Sequence, residues 1–283
     1  MQENTARLTS VDVPPPSRDI RKTALNPDFW LPVARSVEVK CGKMKACSFA
    51  GEPIVLVRGA GERVFALEDR CAHRQVPLSS GVVEGDGLRC GYHGWTYDAS
   101  GKCTNVPYLS DCGTRPNSVR SYPCREAYGL VFVFPGDAAR ASDVPFPDIP
   151  SALDSAYKTR YLNRRVGCHY SFMHENLMDM NHQFLHRRLM GGVKTIFLGS
   201  RVGDTWAEAT YTFKRNSGKQ PLGERFMINR HAEPPKKGER DQMIIRTEYP
   251  YQTLKFWTAG AEHPALDLWN CYCLLYTSPS PRD

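Results

Sequence analysis

The sequence has no long hydrophobic run. Only 41% of its 283 residues are hydrophobic, the mean hydropathy is −0.47, and no stretch approaches the roughly 18 uninterrupted apolar residues of a membrane-spanning helix. Residues 1–25 carry three consecutive prolines and scattered charges, without the apolar segment of a signal peptide. The composition excludes membrane spans, so we expect a cytoplasmic protein that neither is exported nor binds a membrane.

Clustered positive charge is also scarce. The formal net charge is +7, yet no basic run is longer than a pair such as Lys236-Lys237. We therefore predict no nucleic-acid partner, and the moderate basic balance suits docking to an acidic protein. The ten cysteines would suit disulfides in a short secreted chain, but here they are more typical of reduced thiols or metal ligands.

The first half of the chain contains short β-type runs separated by turn residues. These runs lie at residues 54–57, 64–67, 96–97 and 130–134. Their spacing predicts an all-β domain over residues 26–137. We expect a flexible arm before it, at residues 1–25, and a proline-rich linker after it, at residues 138–160.

The second half has a different texture. Residues 171–190 contain neither Gly nor Pro and precede Gly191-Gly192, which predicts one helix with Ser171 as its N-cap. Longer β-type runs follow at residues 205–213, 243–249 and 253–258. A helix and a largely antiparallel sheet predict an α+β domain over residues 161–272.

The last eleven residues, 273–283, form a separate case. They look like the translation of a transposon end used in preparing sequencing libraries, and such segments are excluded from reasoning about the fold. We expect residues 273–283 to be an artefact, the natural protein to continue past about Tyr272, and the second domain to be truncated.

Two short cysteine–histidine pairs lie in the first domain. Cys71 and His73 are separated by one residue, Cys90 and His93 by two, and sixteen residues lie between the pairs. Two thiolates and two imidazoles can bind a structural zinc ion. They can also bind a [2Fe–2S] cluster, with the cysteines on one iron and the histidines on the other. The residues alone leave both alternatives open.

Four polar residues recur along the predicted helix of the second domain. Glu175, Asp179, His182 and His186 are spaced by four, three and four residues, which would place them on one helical face. Two histidines and a carboxylate form the ligand set of non-haem Fe(II) oxygenases. The alternative is a solvated or internally hydrogen-bonded helix face.

Both constellations resemble motifs of one family, the Rieske non-haem iron oxygenases. The two cysteine–histidine pairs, with the residues around them, resemble the Rieske iron–sulfur signature, and residues 29–33 resemble the start of the oxygenase large subunits. The surrounding residues that match the signature are Arg74, Pro77-Leu78, Gly81 and Gly94-Trp95. This resemblance implies that Cys71, His73, Cys90 and His93 hold a [2Fe–2S] cluster.

The segment from Glu175 to His182 resembles the mononuclear-iron helix of the same family. The resemblance implies that His182 and His186 bind Fe(II), with Glu175 nearby. It also implies that Asp179 bridges His182 to a Rieske histidine, His93, of a neighbouring subunit. In the family's usual pattern four residues separate the two histidines, whereas only three do here. The family's third iron ligand is a carboxylate that we expect beyond the point where this chain breaks off.

The resemblance also implies an activity. We expect a vanillate demethylase-like oxygenase component, a homotrimer when complete, with a helix-grip catalytic domain that hydroxylates or demethylates a small aromatic or heterocyclic substrate. O₂ would be the co-substrate, and NAD(P)H would act only through a separate ferredoxin or flavin/iron–sulfur reductase. The truncated chain itself would be inactive. A non-catalytic Rieske electron carrier and a zinc-binding structural module are the alternatives.

Overall fold

A computed structural model describes residues 25–107, 109, 117–164, 166–186, 193–215 and 240–272. For residues 183, 184, 186, 193 and 215 it describes the backbone alone. Residues 1–24 of the predicted arm and the predicted artefact at residues 273–283 thus lie outside the described residues. Among the described residues, no helix is both long and apolar enough to cross a bilayer.

The N-terminal half is built from short antiparallel strands. They are β1 (Leu31–Arg35), β2 (Lys43–Phe49), β3 (Glu52–Arg58), β4 (Val64–Glu68), β5 (Val82–Glu84), β6 (Gly87–Arg89), β7 (Thr96–Tyr97), β8 (Cys103–Asn105), β9 (Ser121–Tyr122), β10 (Cys124–Ala127) and β11 (Leu130–Val133). They form the sheets β1-β11-β10, β2-β3-β4-β9 and β5-β6-β7-β8. The four runs that the sequence predicted all coincide with strands, β3, β4, β7 and β11.

Strand β3 explains how the core is divided. Ile54, Val55, Leu56 and Val57 are all fully buried, because successive side chains of this central strand point to opposite, covered faces. Ile54 and Leu56 pack into one hydrophobic cluster. Val55 and Val57 pack into another, which contains the two predicted ligand cysteines. A continuous apolar run thus places a packed wall behind the candidate metal site.

The C-terminal half is one helix and one sheet. Helix α1 spans Tyr170–Met178, and the strands are β12 (Val193–Val202), β13 (Trp206–Arg215), β14 (Gln242–Glu248), β15 (Tyr251–Trp257) and β16 (Leu266–Cys271). The strands are antiparallel neighbours in chain order. The three β runs predicted here correspond to β13, β14 and β15. The predicted α+β fold class is confirmed.

The prediction of one helix over residues 171–190 is wrong. Helix α1 ends at Met178, Asp179 has an extended backbone (φ −89°, ψ 97°), and a 3₁₀ helix runs over Met180–His186. The Asp179 carboxylate accepts a hydrogen bond from the Asn181 backbone N–H at 2.9 Å. Aspartate side chains compete in this way for backbone N–H groups and favour helix ends.

The predicted N-cap is also wrong. His169 precedes the first helical residue, and its Nδ1 accepts from the Ser171 backbone N–H at 3.4 Å. Ser171 lies inside the helix, where its hydroxyl is 2.9 Å from the same nitrogen. A histidine nitrogen therefore takes the acceptor role that serine oxygens usually have at helix N-termini.

The two halves contact each other through tyrosines. Tyr249 donates to the carbonyl of Asn26 at 3.2 Å, and Tyr251 donates to the carbonyl of Trp30. The ring of Phe29 packs edge-on against Tyr249 at 5.1 Å. The β14–β15 turn thereby joins the C-terminal half to the start of the N-terminal half.

Candidate active site

The two predicted ligand pairs lie on two loops that follow β4 and β6. In the first loop the Cys71 backbone N–H donates to Val76, and Gln75 donates back to Cys71, both at 2.9 Å. In the second, the Cys90 N–H donates to Trp95 at 2.8 Å, and Gly94 donates to Cys90 at 3.2 Å. Each loop is thus a closed turn around its cysteine, which fixes the direction of the side chains.

Glycine allows the two loops to approach each other. A Cβ at Gly81 would lie 2.1 Å from the Arg89 carbonyl oxygen, and one at Gly91 would lie 2.8 Å from the Ser80 carbonyl oxygen. Both distances are shorter than van der Waals contact with backbone permits. The first loop is further held by Asp69, whose carboxylate accepts from the Ser79 backbone N–H and hydroxyl, both at 2.6 Å.

The four predicted ligands form two pairs, one of histidines and one of cysteines. The rings of His73 and His93 lie 4.6 Å apart between centroids, and the Cys90 and Cys71 side chains are close enough for Cys71 to raise the pKa of the Cys90 thiol. Both cysteines are buried and free of disulfides. His73 Nδ1 is buried and has no hydrogen-bond partner among the described residues, which is costly unless a metal takes that place.

Local electrostatics suit metal ligands. Burial lowers the pKa of His73, and the neighbouring His93 and Arg74 lower it further; this favours the neutral imidazole that a metal requires. Burial raises the pKa of the Cys90 thiol, and Cys71 adds to the rise. The thiolate is therefore disfavoured without a cation, and metal binding would release its proton. The residues fit a [2Fe–2S] cluster.

Tyr97 adds a contact that the sequence analysis did not assign. Its hydroxyl lies 3.3 Å from Cys71 Sγ and accepts from the Ala72 backbone N–H at 3.2 Å. Burial raises the pKa of Tyr97, and Cys71 raises it further, so the phenol stays protonated. Since a cluster thiolate can only accept, the Tyr97 hydroxyl would donate to it. Its position in Gly94-Trp95-Thr96-Tyr97 is the sequence signal for this role.

In the second constellation, Asp179 and His182 come together. His182 Nδ1 is hydrogen-bonded to the backbone carbonyl of Asp179, which makes Nε2 the nitrogen that would bind an iron. Metal-ligating histidines are commonly oriented by a carbonyl in this way. The Asp179 carboxylate is exposed, and one of its oxygens is used by Asn181.

Among the described contacts, Glu175 meets this pair only through its backbone carbonyl. The Glu175 side chain is exposed, and its carbonyl accepts from the Asp179 N–H at 3.0 Å. The side chain of His186 lies outside the described residues. The prediction of one shared helical face is wrong, since a four-residue spacing aligns side chains in an α-helix, whereas residues three apart align in a 3₁₀ helix. Among the described side chains, no three His, Cys, Asp or Glu groups converge as ligands of one ion.

Helix α1 is held against the sheet by a buried polar network that no pattern in the sequence indicates. His174 Nδ1 is hydrogen-bonded to Thr247 on β14. The fully buried Gln252 on β15 donates to the His174 carbonyl at 2.8 Å and accepts from the Tyr272 hydroxyl at 2.7 Å. Burial lowers the pKa of His174 to about 4, so this histidine stays neutral at physiological pH.

Both halves of the chain match known protein families. The family model "Rieske [2Fe-2S] domain" matches residues 29–123, and "Vanillate O-demethylase oxygenase C-terminal domain" matches residues 166–275. The first match decides between the cluster and the zinc ion. With the geometry of the two loops, it defines a Rieske-type iron–sulfur protein.

Curated relatives point to the same family. One is 4beta-methylsterol monooxygenase of Methylococcus capsulatus, 35% identical over 254 residues, covering 87% of this chain and 66% of the relative. Another is the oxygenase component of dicamba O-demethylase of Stenotrophomonas maltophilia, 40% identical over 138 residues, covering 48% of this chain and 40% of the relative. The chain thus spans between two fifths and two thirds of these relatives.

A solved structure extends the likeness to the fold. The crystal structure of dicamba monooxygenase bound to dicamba shares 27% identity, covers 83% of this chain and 68% of that chain, and has a TM-score of 0.66. The chain belongs to the Rieske non-haem iron oxygenases, with the C-terminal domain type of the vanillate O-demethylase oxygenases. Proteins of this family carry the [2Fe–2S] cluster and the mononuclear iron that the sequence analysis expected.

Proposed function

We propose that the complete protein is the oxygenase component of a Rieske system, using O₂ and electrons from a separate reductase or ferredoxin to oxidise an organic substrate. The observation that carries the proposal is the presence, in one chain, of the paired Cys–His loops and of the Asp179–His182 segment after α1. An electron carrier would need only the loops. A zinc module would need neither the Rieske pairing nor the second segment.

The chain's own residues prepare both centres. When bound, the cluster transfers single electrons and Fe(II) supports O₂ chemistry. Burial lowers the pKa of His73, Tyr97 faces Cys71 Sγ, and the Asp179 carbonyl orients His182. His186 remains our proposal for the second histidine ligand, and we propose a carboxylate as the third ligand.

We further propose a cytoplasmic homotrimer in which Asp179 joins His182 to His93 of the neighbouring subunit. Two exposed regions of the single chain support this arrangement. Asp179 and Glu175 are exposed at the end of α1. Tyr92, which packs on His93 with ring centroids 3.8 Å apart, is 62% exposed. Each exposed region would be covered when a Rieske domain docks beside the next subunit's iron.

The first candidate substrate is a small aromatic or heterocyclic compound that is hydroxylated or demethylated. Curated relatives named for such substrates include dicamba O-demethylase and vanillate O-demethylase. Their matches cover only 48% and 50% of this chain, less than the two family domains together. These matches therefore support the family assignment more than they support a particular substrate.

A methylsterol is the second candidate, because the match to 4beta-methylsterol monooxygenase covers 87% of the chain and so includes most of the C-terminal domain. The edge strand β12 supports a large apolar substrate. Its Phe197, Leu198 and Val202 are each more than half exposed, which is unusual unless a ligand or another segment covers them.

The test is to express the complete reading frame, reconstitute it with iron and sulfide, and supply a reductase. The proposal expects three irons per subunit, against two for a carrier, and a reducible centre visible by electron paramagnetic resonance. Incubation under ¹⁸O₂ with a methoxybenzoate and with a 4-methylsterol distinguishes the substrates: the first would yield the phenol and formaldehyde, and the second a sterol with an ¹⁸O-labelled hydroxymethyl group. A colourless protein without acid-labile sulfide would refute the function altogether.

Asp179→Asn tests the bridging role separately. It keeps the size of the side chain and removes its charge, so we expect both centres to stay loaded while turnover falls by a factor of about 100 or more. Asp148→Asn makes the same change on an exposed stretch of the predicted linker, so it is the matched control and should retain most activity. Wild-type turnover by Asp179→Asn would show that the bridge is assigned to the wrong residue.

A further inference from the structure

The C-terminal end of α1 is fastened to the sheet by one hydroxyl. Tyr211, on β13, donates a hydrogen bond of 2.8 Å to the carbonyl of Met178, the last residue of the helix. The final carbonyls of a helix have no intrahelical donor, so this contact satisfies a group that would otherwise need water. The residue after that carbonyl is Asp179.

Tyr211 is itself firmly placed. Its Cα pairs with Met243 on β14, and its ring packs against Phe197 on β12 with centroids 5.5 Å apart. The ring also contacts the hydrophobic cluster that contains Met180 and Phe213. Burial raises the pKa of Tyr211, and the nearby Asp179 adds to the rise. The hydroxyl is therefore a permanent donor on a rigid ring.

From Met178 the connection continues to the candidate iron ligand. The Asp179 N–H donates to Glu175 at 3.0 Å, and the Asp179 carbonyl is hydrogen-bonded to His182 Nδ1. Peptide bonds are planar and stiff, so displacing the Met178 carbonyl turns the Asp179 backbone. Strand β13, Tyr211, Met178, Asp179 and His182 thus form one continuous line of contacts.

We propose that Tyr211 is a positioning residue whose hydroxyl, through the Met178 carbonyl, fixes where Asp179 and His182 lie relative to the sheet. The consequence for electron transfer rests on the proposed function, because it assumes that Asp179 receives a Rieske domain and that His182 binds iron. The consequence for the backbone does not rest on the proposed function. Without the hydroxyl, the segment from Asp179 to His182 opens more often, whether or not iron is bound.

Tyr211→Phe removes only the hydroxyl, and Tyr157→Phe is its matched control. Tyr157 donates to the carbonyl of Pro264 at 2.6 Å, so the control removes the same kind of bond without touching Asp179. In the iron-free complete protein, hydrogen exchange of peptides spanning residues 179–182 should accelerate about fivefold in Tyr211→Phe, the factor by which losing one neutral hydrogen bond of about 1 kcal/mol shifts a local opening equilibrium. It should be unchanged in Tyr157→Phe.

In the loaded enzyme, a single turnover should show the same contrast. Reoxidation of the reduced cluster should slow at least tenfold in Tyr211→Phe, with KM for the substrate within about twofold of wild type, and remain normal in Tyr157→Phe. Equal behaviour of the two variants in exchange and in reoxidation would overturn the proposal. A loaded wild type without oxygenase activity would refute the proposed function and leave the exchange comparison valid.

A second variant guards against misfolding of Tyr211→Phe. Phe197→Leu keeps the hydroxyl and loosens the ring that bears it, at a side chain that is 56% exposed and therefore tolerant of change. We expect a smaller, two- to threefold acceleration of exchange at residues 179–182. Wild-type exchange there would contradict the proposal even if Tyr211→Phe cannot be purified.

Discussion

The two candidate metal sites of this chain are built in opposite ways. The four cluster ligands lie within 23 residues, on two loops whose backbone hydrogen bonds are made within each loop. The Asp179–His182 segment instead follows α1, which side chains of Tyr211, Thr247, Gln252 and Tyr272 hold against the sheet through contacts that span 33 to 99 residues. A local site is specified by its motif, whereas a site at a helix end is specified by the sheet that holds it.

The largest effect of a single substitution is expected at Gly81, in the local site. An alanine Cβ there would lie 2.1 Å from the Arg89 carbonyl oxygen, so one loop must move away from the other. We expect Gly81→Ala to cost about 3 kcal/mol or more in unfolding free energy and to lose the cluster. Thermal unfolding and visible absorbance measure the two effects.

Gly42→Ala is the control for the Gly81 variant. Gly42 has φ +66°, and a methyl group on its Cα would meet no described atom within 4 Å, so alanine there costs only the left-handed backbone conformation, about 1 kcal/mol. If Gly81→Ala is no more harmful than Gly42→Ala and keeps its iron, the close approach of the two loops is not what the site requires.

The same contrast explains how much the sequence could predict. The runs around Ile54 and Val64 became strands because a continuous apolar stretch has few other ways to be buried, and the Cys–His pairs were recognisable because their spacing is local. Helix α1 was predicted too long, since residues 171–190 contain neither Gly nor Pro and Asp179 fitted the spacing of a polar helical face. That Asp179 and Asn181 favour helix ends was the available signal.

The network around His174 could not have been predicted. Gln252 and Thr247 are ordinary polar residues of alternating strands, and only the register of β14 against β15, which pairs Thr247 with Gln252, brings both beneath α1. Tyr211 reaches Met178 for a similar reason, through the register of β13. The register between strands that are distant in sequence produces no periodic pattern from which these contacts could be predicted.

Mild acid should destabilise the C-terminal domain before the N-terminal domain, with a smaller change in unfolding free energy than Gly81→Ala causes. His174 has a pKa of about 4 in the folded protein against 6.5 ordinarily, so below pH 6.5 the unfolded chain binds a proton that the native state excludes. The C-terminal domain should lose stability as the pH falls from 6.5 to 4, by on the order of 2 kcal/mol. Hydrogen exchange of β14 and β15 against pH measures this loss.

The N-terminal domain should lose stability only at lower pH. The Arg58 guanidinium, hydrogen-bonded to Glu126 at 2.7 and 3.0 Å, holds the pKa of that carboxyl below its ordinary 4.5. This stabilisation is complete above pH 4.5 and is lost as the pH falls through the lowered pKa, by less than about 1 kcal/mol because the pair is partly exposed.

His174→Asn should abolish the loss of stability between pH 6.5 and 4 in the C-terminal domain alone. An unchanged pH profile in that variant would mean that another group causes it.

A small shift of redox potential is expected at Tyr97, and it tests whether the local site is as self-contained as its motif implies. Tyr97→Phe removes the hydroxyl 3.3 Å from Cys71 Sγ and leaves all four ligands in place. A hydrogen bond to a cluster sulfur stabilises the reduced, more negative state. Losing about 1 kcal/mol of that interaction lowers the one-electron potential by roughly 40 mV. Redox titration of the visible spectrum measures the shift, and Tyr122→Phe, in the other core of the same domain, is the control. A potential that falls equally in both variants would mean that general packing, rather than the contact with Cys71, tunes the cluster.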